Sequence, residues 1–209
     1  MQLPSKTLVL PGILSILTLL ATGASASVIA AYDFNTASDT EGWTATSTSG
    51  FTAVGGSLVG TATGNDPQLL NNPVSITVGV GGTWDTVVFR VRELDSASGF
   101  YIGSAGAPAF NTVGLVIQVN SLVISTGFTS VASGDDFYTV TTNISSLAAT
   151  TITNIRVDPV GGALSNSGSE TNGNSYEVDF IQINGTAVPE PSAALLGGLG
   201  MIALLRRRR

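Results

Sequence analysis

The central part of this chain predicts an all-β fold, a β-sandwich of jelly-roll type, on three observations. Short runs rich in Val, Ile, Phe and Thr recur between clusters of Gly, Asn, Asp and Ser from Ser27 to Gly185. In one of them, Thr86–Glu93, the side chains of Val87, Phe89 and Val91 fall on one face and those of Arg90 and Arg92 on the other. That is the period of a half-buried strand. Away from the two ends, no segment sustains a helical period. With 43% hydrophobic residues the chain can build a core, although only 11% of its 209 residues are charged.

Taken in order, the apolar runs give strands at Val28–Phe34, Phe51–Val54, Ser57–Thr63, Val74–Val80, Thr86–Glu93 and Phe100–Gly103. They continue at Thr112–Asn120, Leu122–Thr126, Phe137–Asn143, Thr151–Asp158 and Glu177–Ile183. Each is bounded by residues that favour turns, because Gly and Asn accept a positive φ and Asp and Ser bond to nearby backbone. Asn120-Ser121 lies between two apolar runs and reads as the turn of a tight hairpin.

The ends differ from the body. Lys6 precedes an apolar stretch, Leu8 to Ala21, and then Ala24-Ser25-Ala26 in the A-x-A pattern of a signal-peptidase site. This predicts a signal helix in residues 1–26, cleavage after Ala26 and a mature N-terminus at Ser27. At the other end, Val188-Pro189-Glu190-Pro191-Ser192 leads into an apolar run, Ala193 to Leu205, closed by Arg206, Arg207, Arg208 and Arg209. As a helix that run would be roughly 20 Å long, short of a ~30 Å hydrocarbon core. The reading is a short transmembrane helix with its arginines held at the cytoplasmic side. Residues 27–186 are then the passenger and 187–209 a tail.

This tail resembles the PEP-CTERM sorting signal. Pro-Glu-Pro, a short apolar span and a basic terminus follow in order over the last 23 residues. The resemblance implies a partner, an exosortase-type membrane protease that recognises Pro189-Glu190-Pro191 and processes the tail. It further implies transient membrane anchoring and then release to the cell surface or extracellular matrix of a Gram-negative-type bacterium. The two prolines hold the motif extended and free of helix, a form suited to a protease cleft.

Composition excludes several chemistries. There is no cysteine and no histidine, so thiol nucleophiles, zinc fingers, disulfides and histidine bases are absent. The passenger has three arginines against thirteen carboxylates, a net charge of −10, and no lysine. Such a surface repels phosphate backbones, and no nucleic-acid partner is expected. A serine nucleophile would lack a basic partner. A glycosidase needs only two carboxylates, and Asp135-Asp136 is the closest pair, but Ser133-Gly134 before it reads as a plain loop. The expectation is a non-enzymatic surface or matrix protein. The alternatives are a carbohydrate-binding module for extracellular polysaccharide and a carboxylate-dependent glycan hydrolase.

Several passages resemble the galactose-binding-like, carbohydrate-binding-module jelly rolls. They include Asp33-Phe34-Asn35 with Glu41-Gly42-Trp43, Asn65-Asp66-Pro67, Ile155-Arg156-Val157-Asp158-Pro159, and Val178-Asp179-Phe180-Ile181 as a closing strand. The resemblance implies a structural calcium between the first and last strands, which would fall to Asp33 and Asp179. It also makes the aromatic residues candidates for stacking on a sugar ring, above all Trp43 and Trp84, with Tyr101, Tyr138 and Tyr176 besides. A sandwich core would use the same rings, and Trp43 is placed to plug one end of it.

Overall fold

The structure, a computed structural model, describes residues 26–64, 66–79, 81–96, 98–106, 109–110, 112, 114–159, 173–186, 197, 200–201 and 204–207. The chain divides into two compact units, Ala26–Ala187 and a second comprising Met1–Ser25 and Val188–Arg209.

The larger unit is built of antiparallel strands. They are β1 (Ala26–Tyr32), β2 (Trp43–Thr46), β3 (Thr48–Val54), β4 (Ser57–Ala62), β5 (Gln68–Asn71), β6 (Ile76–Thr77) and β7 (Thr83–Leu94). There follow β8 (Val116–Val119), β9 (Leu122–Ile124), β10 (Thr129–Ala132), β11 (Tyr138–Asn143), β12 (Thr151–Ile152), β13 (Ile155–Asp158) and β14 (Ser175–Thr186). One sheet runs β10-β11-β7-β14-β4-β3, with β1 also on β14. A second runs β2-β5-β13-β8-β9, and β6 pairs β12.

Alternation explains how the two larger sheets meet. In β7 the buried side chains are Trp84, Val87, Phe89, Val91 and Glu93, with the others turned outward. Their parity changes between Trp84 and Val87, where the pairing with β14 shifts register at Asn184/Gly185. One contiguous cluster joins Val87, Phe89, Val91, Val140, Val178 and Ile181 of the first sheet to Leu69, Ile117, Val119, Ile155 and Val157 of the second. Each such side chain contributes about 1.5–3 kcal/mol when fully buried. The sheets therefore hold each other through a shared apolar layer.

β14 is the hub. It pairs β7 along its length; at its other edge it takes β4 over Ser175–Val178 and β1 over Ile181–Thr186. Ala26 pairs Thr186, so the first and last strand residues of this unit are cross-strand neighbours.

The observed strands depart from the sequence expectation in definite places. Thr151–Asp158 is broken into β12 and β13, and Val74–Val80 keeps only the two residues of β6. Phe100–Gly103 contributes a single bridge, Leu94 to Tyr101. β2, β5 and β10 are additions, each of four residues. The hairpin at Asn120-Ser121 forms as expected, with Asn120 at φ 52° and Val119 opposite Leu122.

In the smaller unit, the described residues Gly197, Gly200, Met201 and Leu204 to Arg207 are helical. Among the described residues no helix is long and apolar enough to cross a membrane. The expected signal helix, Ala24, Val188 to Ser192, Arg208 and Arg209 lie outside the described residues.

Candidate functional site

On the outward face of the first sheet, β7 presents Arg90 and Arg92 opposite the acidic side chains of β14. Arg90 Nη1 meets Asp179 Oδ2 at 2.6 Å. Arg92 Nη2 reaches both oxygens of Glu177, at 2.9 and 2.8 Å. The alternation Arg-Val-Arg on one strand and Glu-Val-Asp on the other makes this pairing possible, since residues two apart share a face.

The same guanidiniums strap down the loop before β11. Arg90 donates to Ser133 Oγ at 3.0 Å and, from Nη2, to the carbonyls of Ser133 and Gly134 at 3.4 and 3.3 Å. Arg92 donates to the Asp135 carbonyl at 3.1 Å. Gly134, Asp135 and Asp136 all have positive φ, 88°, 52° and 62°. That backbone is costly for the two aspartates and is held by the arginines beneath it. Both aspartates are exposed.

Aromatic rings complete the patch. The Arg90 guanidinium lies 4.1 Å from the Phe137 ring centre, and Arg92 lies 4.6 Å from both Phe137 and Tyr101. Beside them Phe110 stacks on Tyr138, centres 4.1 Å apart and planes within 5°. Tyr138 Oη donates to the Gly103 carbonyl at 3.4 Å. Tyr101, Phe110 and Tyr138 are half-buried, and Phe100 is 51% exposed. Tyr101 and Tyr138, both singled out in the sequence, thus gather with Phe110 and the two arginines; those partners were not foreseen.

Trp43 and Trp84 are elsewhere, and the sugar-stacking expectation for them is corrected. Each is 1% exposed, so neither offers a face to a pyranose. Trp43 packs edge-on against Tyr32, centres 5.4 Å apart. Trp84 Nε1 donates to the Ala149 carbonyl at 2.5 Å. Tyr176 is also interior, sharing a hydrogen bond with Thr48 Oγ1 at 3.1 Å, and burial pushes its phenol up to about 12. Apolar burial outbids exposure for the largest rings.

The carboxylates proposed for calcium have other partners. Asp179 is bound to Arg90, so a dication there would have to displace a guanidinium 2.6 Å away. Asp33 Oδ1 accepts from the Asn35 amide at 3.4 Å. Its carboxyl also interacts with Glu41, which burial and the Asp33 charge both push upward. Among the described residues no group of three or more carboxylates is arranged to hold a metal. Asp33 and Asp179 as placed do not fit a shared calcium.

Two further carboxyls are interior. Asp158 takes Arg156 on both oxygens, at 2.7 and 2.6 Å, and burial pushes it up to about 6 against that pull. Glu93, 1% exposed, accepts from Asn174 Nδ2 at 2.7 Å through Oε1, while Oε2 finds no hydrogen-bond partner among the described residues. Burial pushes Glu93 up to about 7. Parity with Val87, Phe89 and Val91 was the signal in the sequence that Glu93 faces inward.

The chain thus comprises a compact β body followed in sequence by an apolar and basic tail. Residues 187–209 match the PEP-CTERM protein-sorting motif. No curated protein matches the chain. Among solved structures, a carbohydrate-binding module from Cellvibrio mixtus lichenase 5A, in complex with cellotriose, is similar at 14% identity and a TM-score of 0.33. That likeness covers 76% of this chain and 98% of the module.

Proposed function

We propose that this is an exported, non-enzymatic protein whose tail is read by an exosortase and whose body reaches the cell surface or extracellular matrix. The observation that carries the reading is the match of residues 187–209 to the PEP-CTERM motif. Its parts have separable tasks. Pro189-Glu190-Pro191 supplies a charged recognition element, Ala193–Leu205 holds it at the membrane, and Arg206–Arg209 fixes orientation. A span this short is a temporary anchor. The body is a jelly-roll-like β-sandwich, supported by the shared core of its two sheets. A non-enzymatic body is supported by the lack of histidine, cysteine and mature lysine, and by the arginine pairing of Glu177, Asp179 and Asp158.

The test is Glu190→Ala, which leaves the span and the arginines intact. The variant is expected to accumulate uncleaved in the envelope while the wild type reaches the surface or medium. Equal distribution of the two would remove the sorting reading and leave a short anchor.

A second reading, a body that binds extracellular polysaccharide, is favoured by one observation. Exposed Phe100 and half-buried Tyr101 lie on the loop that also carries the Arg92 contact. An aromatic face beside hydrogen-bonding groups suits a sugar ring. Retention on immobilised matrix polysaccharide, lost in Phe100→Ala and Tyr101→Ala, supports it; no retention by the wild type refutes it.

A further inference from the structure

We infer that β10 is a self-association edge, pairing antiparallel with β10 of a second copy across a two-fold axis at Val131. β10 ends the first sheet, and all four of its residues are exposed. Its partner on one side is β11, with Val131 opposite Thr139 and Ala132 opposite Tyr138. Beyond it, Ser133 N donates to the Phe137 carbonyl at 2.8 Å. In an antiparallel ladder hydrogen-bonded pairs alternate, so 133/137, 131/139 and 129/141 face inward. Ser130 and Ala132 therefore direct their N–H and C=O groups to the open edge.

That arrangement is self-complementary. With the axis at Val131, Ser130 of one copy faces Ala132 of the other and each pair exchanges two hydrogen bonds. Val131 then faces its own symmetry mate in the non-hydrogen-bonded position, where side chains are closest. Val131 is 67% exposed, a β-branched side chain with an open flank. The opposite end of the sheet is different. β3 contains a register shift between Ser49 and Thr52, and Ser38 N already donates to the Ala53 carbonyl at 2.9 Å. Bulges and covering loops blunt a sheet edge, and among the described residues β10 has neither.

Charge selects a second copy as the occupant. Bodies of net charge −10 repel one another, yet residues 96–134 contain no charged side chain. β10 sits inside that neutral stretch, without the lysine, glutamate or proline that ordinarily guards an edge. The nearest carboxylates in sequence, Asp135 and Asp136, lie in the turn beyond Ser133 rather than on β10 itself, and added salt tightens the contact by screening their repulsion.

The full chain, free of cysteine, allows a direct test. Val131→Cys puts two thiols at a cross-strand spacing of about 4.5 Å between Cα atoms, within disulfide range. Val54→Cys, on β3 and 55% exposed in the parent residue, is the control. Under mild oxidation Val131→Cys is expected to give a covalent dimer of twice the chain mass at about ten times the control rate, faster still at higher salt. Adding Ala132→Pro, which removes only an outward N–H, is expected to return the rate to the control value. Thermal unfolding confirms that each variant is folded. Equal rates at positions 131 and 54, an adduct with a different protein, or a rate untouched by the proline overturns the inference.

Discussion

Replacing Glu93 by Gln keeps the acceptor for Asn174 and removes the charge. The Asn174 amide cannot easily reorient, because its Oδ1 accepts from both Ser96 N and Ser96 Oγ at 2.9 Å. Burial raises the folded-state carboxyl from 4.5 to about 7. A carboxyl raised in the folded state favours folding fully below its unfolded value, and that benefit is lost as pH rises through the folded value. At about 1.4 kcal/mol per pH unit, the ionised wild type at pH 8.5 is about 3 kcal/mol less stable than at pH 4.5 from this group alone. The variant carries no such term. Wild type and Glu93→Gln are therefore expected to unfold alike in urea near pH 4.5 and to diverge progressively as pH rises from 4.5 to about 7, with the variant the more stable and the gap levelling off above that. Asp158 adds its own slope, but it is common to both proteins and cancels in the difference. Trp43 and Trp84 are both buried, so the fluorescence shift on exposure reports unfolding. A difference that is flat from pH 4.5 to 8.5, or a variant less stable at pH 8.5, would refute the reasoning.

Other substitutions probe separate parts. Gly103→Ala is expected to destabilise by about 1–3 kcal/mol, measured by urea midpoint, because Gly103 has φ 84° and a Cβ there would strike the Tyr138 ring. Trp43→Ala should cost about 3–5 kcal/mol by cavity formation, read from thermal unfolding. Arg92→Lys keeps the charge but loses the two-oxygen grip on Glu177 and the guanidinium contact over the Phe137 ring. Proteolysis within residues 133–137 is expected to speed up in that variant, with the rest of the body still resistant.

The legible and illegible parts of the molecule divide along physical lines. β7 and β14 were readable because twelve-residue strands with one face in the core write their alternation plainly. β10 left no such trace, since a strand exposed on every residue has no buried face to pattern it. β2 and β5 are four residues each, too short for alternation to stand out. The Arg92–Glu177 and Arg90–Asp179 pairs join residues 85 and 89 positions apart, and only the register of β7 on β14 reveals them. Aromatic identity did not tell core from surface: Trp43 and Trp84 went inside, while Phe100 stayed out. The tail was legible in full as a motif because its meaning lies in linear order, which needs no tertiary contact.

The central claim, that this protein is exported and processed at its tail, is tested most directly by the intact mass of the wild-type protein recovered from the cell surface or medium. The expected mass is that of a chain beginning at Ser27 and lacking Arg206–Arg209. A recovered chain that still carries Arg206–Arg209, or recovery from the inner membrane alone, contradicts it.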